Sequence, residues 1–157
     1  MPLYLAERDV TGLLTPADAV PVIEESFRRL ASGAAVNEPR KRLRLPDGSF
    51  ALMAATDTEL GYAGLKSYTV VEGKAAFVVC LFSLVSGKLA AVLEADRLGQ
   101  VRTGAASGVA AKYLARAGAS TLGLIGCGWQ AESQLAAITA AVPSVERTLA
   151  WLSLIHI

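Results

Sequence analysis

Apolar residues first recur at helical spacing. Ala19, Ile23, Phe27 and Leu30 lie three or four apart, which predicts an amphipathic helix with one apolar stripe. Thr15 is placed to cap it, Pro16 suits the first helical position, and Asp18 complements the positive end. Gly33 ends it, and Pro21 inside it predicts a kink or a separate first turn. From Arg40 the period changes to two. Arg40, Arg42 and Arg44 face one way and Lys41, Leu43 and Leu45 the other, which predicts a strand. Pro46-Asp47-Gly48 turns the chain back into a partner strand over Phe50–Ala55. Gly64–Val71 and Ala76–Val85 read as further strands, and Ser86-Gly87 leads into Leu89–Leu93 as a second hairpin. This part of the chain is predicted to be a mostly antiparallel sheet with one helix at its start.

The texture changes after Ala95. Arg102–Ala117 is rich in Ala and Gly, with Val109, Tyr113 and Leu114 among the small residues. That composition predicts a helix with a closely packed face, ended by Gly118. Each helical glycine costs about 1 kcal/mol relative to Ala, so packing must compensate. A domain boundary is expected near Ala119. Beyond it, Thr121–Ala131 reads TLGLIGCGWQA: a short apolar strand, the glycine turn Gly126-Cys127-Gly128, and the start of a helix over Gln130–Ala141. This is the pattern of a dinucleotide-binding strand–turn–helix. The first glycine permits the turn. The second lets backbone approach a pyrophosphate at the helix N-terminus, and small Ala131 lets helix and strand pack closely. Leu149-Ala150-Trp151 is the expected second strand. Glycine spacing alone also fits an ordinary strand–loop–helix turn.

Composition changes the picture little. The chain has 157 residues, 53% hydrophobic and 18% charged, which suggests buried sheet or a subunit interface. No apolar run approaches the roughly 18 residues that span a bilayer, and the longest, Phe77–Val85, reads as a buried strand. The start has no basic region followed by an apolar stretch, so a secretory signal is not expected. Cys80 and Cys127 have neither metal-site nor disulfide spacing, which makes a reducing cytoplasm the expected location. Fifteen basic against fourteen acidic residues give no electrostatic case for nucleic acid.

Candidate chemistry rests on a few cations. Lys66 stands in a strand of otherwise uncharged residues, where it is either a snorkelling lysine on an open sheet face or a lysine that binds a carboxylate or imine. Arg40, Arg42 and Arg44 form either a solvated face or a guanidinium fork for a carboxylate. Arg102, read as opening the Ala/Gly-rich helix beside Thr103, opposes the helix dipole there. A bound anion, or Glu94 or Asp96, is expected to hold it. Ser107 has no partner histidine, and Cys127 is a small filler of the loop.

GYAGLK, RTGAASGVAAKYLAR and LGLIGCGWQAESQ, preceded by LMAATD, resemble the ornithine cyclodeaminase/μ-crystallin family, and most of all its bacterial alanine-dehydrogenase-like branch. The resemblance runs from roughly residue 10 to Trp151. It implies a mixed α+β substrate-binding and dimerisation domain, residues 1–118, followed by the start of a Rossmann-type domain for NAD or NADP, residues 119–151. It implies a homodimer acting on a small amino or imino acid, with no nucleic acid or membrane partner. Residue by residue, it implies that Lys66 is the catalytic lysine touching substrate. Arg40, with Arg42 close behind, and Arg102 would hold the substrate carboxylate. Arg102, Thr103, Gly126, Gly128, Trp129 and Gln130 would lie on the cofactor, with Trp129 at a variable position. The family's usual MPA is MAA at Met53–Ala55, and SYTVVEGKAA replaces an asparagine-bearing segment after the lysine. Hydride transfer at an α-carbon is the implied chemistry. A μ-crystallin-like binder of nucleotide and small ligands, or an inactive truncated fragment, is the alternative. The apolar hexapeptide Leu152–Ile157, LSLIHI, stands where an acidic or small polar residue meets the ribose in a complete unit, and it is expected to be foreign. His156, the only histidine, is therefore a poor catalytic candidate.

Overall fold

A computed structural model describes residues 1–153. His156 and the greater part of the hexapeptide lie outside the described residues. The chain divides into two compact units, and the line does not fall at Ala119. One unit comprises Met1–Leu13 and Ser26–Leu98; the other comprises Leu14–Glu25 and the chain from Gly99 onward.

The first unit is built on a sheet. Its strands are β1 (Leu3–Leu5), β2 (Ala35–Asn37), β3 (Lys41–Leu45), β4 (Gly48–Asp57), β5 (Tyr62–Val71), β6 (Lys74–Ser83) and β7 (Leu89–Glu94). They run in the order β1-β7-β6-β5-β4-β2, and β3 pairs with β4. The hairpins read from the sequence are present, with β4, β5 and β6 extended to ten residues each. Long antiparallel pairing carries the strands past the points where alternation is visible. Three elements escaped the sequence reading: β1, β2 and the short helix α1 (Glu7–Val10). β1 lies parallel to β7, so the sheet is not wholly antiparallel. A three-residue strand carries too little periodicity to be seen, and its partner is about ninety residues away. The apolar run of β6 is half-buried rather than buried, and Val85 lies beyond its end, exposed.

The helix read from Thr15 is α2 (Pro16–Ser32). Thr15 Oγ1 accepts the Asp18 N–H at 3.1 Å, while the Asp18 carboxylate accepts the Thr15 N–H at 3.3 Å, a reciprocal cap. Pro21 neither splits the helix nor ends it. It lies early in the helix, and tertiary packing on both sides of it, at Val20 and Glu24, holds the segment. Within the first unit, Arg29 of α2 meets Asp57 at the end of β4 at 2.6 Å.

The second long helix, α3 (Asp96–Leu114), begins six residues before the expected start at Arg102. Its opening is capped by a distant carboxylate. Glu7 accepts the backbone N–H groups of Asp96 and Arg97 at 3.0 and 2.6 Å. The Glu94 carboxylate accepts Tyr4 Oη and the Glu7 N–H, each at 2.7 Å, which holds Glu94 below its ordinary ionisation range. Sequence-local signals could not show a helix start whose cap comes from α1.

In the second unit, α3 packs on the first part of α2 and on α4 (Trp129–Ala141). The core is Ala19, Val20, Val101, Ala105, Val109 and Ala137. Gly104 and Gly108 face Ser133 and Ala137 so closely that a Cβ on either would collide with backbone. This is the tight face that the Ala/Gly composition predicts. It also explains the division of the chain, since Gly99 onward packs as one body with the glycine-turn segment. Glu24, almost buried, is held by Lys112 Nζ at 2.6 Å and Tyr113 Oη at 2.5 Å. β8 (Thr121–Ile125) and β9 (Arg147–Trp151) form a parallel pair joined by α4, as the motif predicts.

Candidate functional site

On the first unit, strand register gathers the cations. Across β3, β4, β5 and β6 the residues Arg42, Ala51, Tyr68 and Phe77 stand in one lateral row. Lys66 precedes Tyr68 by two, and Arg40 precedes Arg42 by two, so period-two alternation puts all of these side chains on one face. The structure thus brings Arg40, Arg42 and Lys66 to one side of the sheet. The arginine Arg40 lies just before β3 rather than within it.

Tyr68 ties the group together. Arg40 Nη1 donates to the Tyr68 phenol oxygen at 2.8 Å. The Arg40 guanidinium, with Arg42 beside it, holds the phenol below its ordinary ionisation range, against the opposing effect of burial. Lys66 Nζ sits 4.6 Å from the centre of the Phe77 ring and 5.7 Å from that of Tyr68. The two rings pack at 4.8 Å. Ring faces carry negative potential, so they favour a charged ammonium at this half-buried position. Lys66 thus packs on two aromatic rings. Three cations and one phenol converge where an anion would be attracted, and guanidinium and ammonium donors suit a carboxylate. Tyr68 was missed in the sequence. The signal available was its place two residues after Lys66, on the same face.

The second unit carries the glycine turn. Gly126 has φ +89°, a left-handed conformation that a residue with a Cβ rarely adopts, and its N–H donates to the Trp151 carbonyl at 2.8 Å. Gly128 is the N-cap of α4, and no side chain caps the helix there. A Cβ at Gly126 or Gly128 would meet open space, so backbone at the turn is accessible to a ligand. An open groove of about 400 Å³ runs from Leu124 past Cys127, Gly128 and Trp129 to Leu135. Trp129 is exposed, and its carbonyl accepts from buried Gln100 Nε2, which anchors α3 to the turn. Gln130 is exposed in the first turn of α4. These features fit a pyrophosphate: a glycine turn and a helix N-terminus without a side-chain cap.

Arg102 requires a correction. It is the seventh residue of α3, exposed, and so does not oppose the dipole at a helix start. Asp96 occupies the first turn instead, and the capping carboxylate is Glu7. The dipole argument for an anion at Arg102 therefore fails. Thr103 directs its hydroxyl back to the Gly99 carbonyl at 2.6 Å. Among the described residues no group of three or more His, Cys, Asp or Glu could hold a metal, and no helix is long and apolar enough to cross a membrane.

Comparison with known proteins shows the family. A family described as ornithine cyclodeaminase/mu-crystallin matches residues 2–152. An alanine dehydrogenase of Archaeoglobus fulgidus is 38% identical over 143 residues, covering 87% of this chain and 44% of the relative. An iminosuccinate reductase of Paracoccus denitrificans is 32% identical over 160 residues, covering 95% and 49%. An archaeal alanine dehydrogenase dimer solved with bound NAD superposes with a TM-score of 0.88 at 35% identity, covering 95% of this chain and 48% of that one. The chain spans about half the length of the curated relatives it matches.

Proposed function

This chain belongs to the ornithine cyclodeaminase/mu-crystallin family, and on that premise we propose that it serves an NAD(P)-dependent enzyme moving a hydride at the α-carbon of a small amino or imino acid. The observation that carries the reading is the convergence of Arg40, Arg42 and Lys66 on one sheet face. Arg40 and Arg42 hold the α-carboxylate. Lys66, set against the Phe77 and Tyr68 rings, is the catalytic lysine that holds or delivers a proton at the reacting nitrogen. Gly126, Gly128, Trp129 and Gln130 form the pyrophosphate end of the cofactor site, with Arg102 and Thr103 assigned to substrate carboxylate and cofactor by the family motif. The nicotinamide, when bound, supplies the hydride acceptor or donor.

A homodimer belongs to the same proposal. The sheet face opposite that group exposes large apolar side chains beside Lys41: Val36, Leu43, Leu65 and Phe82 lie on it, 53%, 57%, 36% and 37% exposed. A second copy would cover it.

The test is calorimetric titration with pyruvate, a minimal 2-oxo carboxylate, alongside NADH consumption by the full-length gene product with pyruvate plus ammonia or with a cyclic imino acid. Pyruvate binds the wild type, and Arg42→Ala weakens it at least tenfold, on the order of one charge-assisted contact. Lys66→Ala abolishes turnover. Pyruvate affinity unchanged in both variants would sink the reading.

A further inference from the structure

The cationic face holds one group that neither the family motif nor the sequence pattern assigns. Tyr68 is 8% exposed, yet its hydroxyl is not in an apolar setting: it lies against Arg40 at 2.8 Å, with Arg42 on the same side. The ring is fixed by Phe77 at 4.8 Å and by its place in the middle of the sheet, opposite fully buried Ala51. A rigid ring gives its oxygen a fixed position. Arg40 has no such support from its own backbone, since it precedes β3 and is exposed. A long, exposed arginine loses side-chain freedom when it binds, unless something already holds it. The contact with Tyr68 supplies that hold.

Direction matters too. A guanidinium only donates, so the phenol oxygen accepts from Arg40. Its own hydrogen then points away from the guanidinium and is available to an acceptor. A carboxylate drawn to Arg40, Arg42 and Lys66 supplies such an acceptor. Arg40 and Arg42 from the β3 side and Lys66 from its own strand are all cations.

We infer that Tyr68 is a positioning residue of the carboxylate site, orienting Arg40 from within the sheet and donating its own O–H to the bound carboxylate. The inference rests on the carboxylate reading above. It adds that the affinity of Arg40 for the ligand depends on a phenol that never takes part in hydride transfer.

The experiment is pyruvate titration of the wild type, Tyr68→Phe, Arg40→Ala and the double variant. Tyr68→Phe keeps the ring that packs on Phe77 and faces Lys66, and removes only the oxygen. The expected result is a Kd raised about tenfold in Tyr68→Phe, the size of one lost hydrogen bond to a charged group. The double variant should be weaker than Arg40→Ala, but by less than the roughly tenfold that Tyr68→Phe costs the wild type, because the orienting share is already gone with Arg40 and only the O–H contact to the carboxylate remains to be lost. Tyr68→Phe equal to wild type, with Arg40→Ala impaired, overturns the inference and leaves the carboxylate site standing. Binding insensitive to Arg40→Ala and Arg42→Ala overturns both. A second readout uses the wild type alone, with tyrosine labelled at 13Cζ. Pyruvate should raise the ionisation midpoint of the Tyr68 signal, since an anion at the hydroxyl opposes phenolate. A Tyr68 midpoint that does not move at saturating pyruvate overturns the inference even if Tyr68→Phe fails to fold.

Discussion

Gly104→Ala should destabilise the protein although alanine is the better helix former. In an exposed helix interior the change would stabilise by about 1 kcal/mol. Here the added methyl would stand 2.5 Å from the carbonyl carbon of Ser133 and 2.9 Å from its Cβ, with the carbonyl oxygen closer still. Ordinary contact begins near 3.4 Å, so α4 must retreat from α3 by most of an ångström. The atoms in the way are backbone, and no rotamer change relieves them. Overpacking of this kind costs about 1–3 kcal/mol, and retreat also opens space around Ala105 and Ala137, both fully buried. A clash with unyielding backbone takes the upper end of that range, and subtracting the helix gain from it leaves roughly 2 kcal/mol of destabilisation. For a chain of this length that lowers Tm by about 6 °C. Gly108→Ala should cost less, because its nearest neighbours are the Ala137 carbonyl oxygen at 2.8 Å and a movable Val20 methyl at 3.0 Å. Thermal melts by circular dichroism and urea titrations give both values. A Gly104→Ala protein as stable as the wild type would refute the claim that these helices touch through their backbones.

Two further outcomes follow from the fold. Glu7→Ala removes the carboxylate that caps α3 and should cost about 1 kcal/mol in urea denaturation, as loss of an N-cap does. Protection of the Asp96 and Arg97 amides from hydrogen exchange should fall with it, and unchanged protection would count against the cap. The Asp57 carboxylate accepts the Leu60 N–H at 2.9 Å and Arg29 Nε at 2.6 Å, which together hold it below the ordinary aspartate range. With its folded ionisation depressed, its contribution to stability is full above the unfolded value of about 3.9 and is lost as pH falls through the folded one. Melts of wild type and Asp57→Asn should therefore differ at neutral pH and converge in acid. A difference that stays constant down to about pH 2 would contradict the assignment.

How much of this was legible in the sequence differs from element to element. The hairpins of β3 to β7 were legible because alternation over Arg40–Leu45 and apolar stretches bounded by turn residues such as Pro46-Asp47-Gly48 and Ser86-Gly87 are local signals. The capping pair Thr15 and Asp18 and the glycine turn at Gly126 were also local, since a cap and a left-handed turn each need particular residues within a few positions. Lys66, Arg40 and Arg42 could be named as candidates from their types and spacing, and the family resemblance from the quoted motifs agrees with the match over residues 2–152. Tertiary structure decided the rest. β1 became a strand only by pairing with β7, and α3 started at Asp96 because Glu7, far away in the chain, met its free N–H groups. The contact between the arginine ladder and Tyr68 lay in the register that set Tyr68 opposite Ala51 and in reach of Arg40. A sequence records which residues can make a contact. It does not record which strands lie side by side, and the grouping of Arg40, Arg42 and Lys66 on one face is a property of that arrangement.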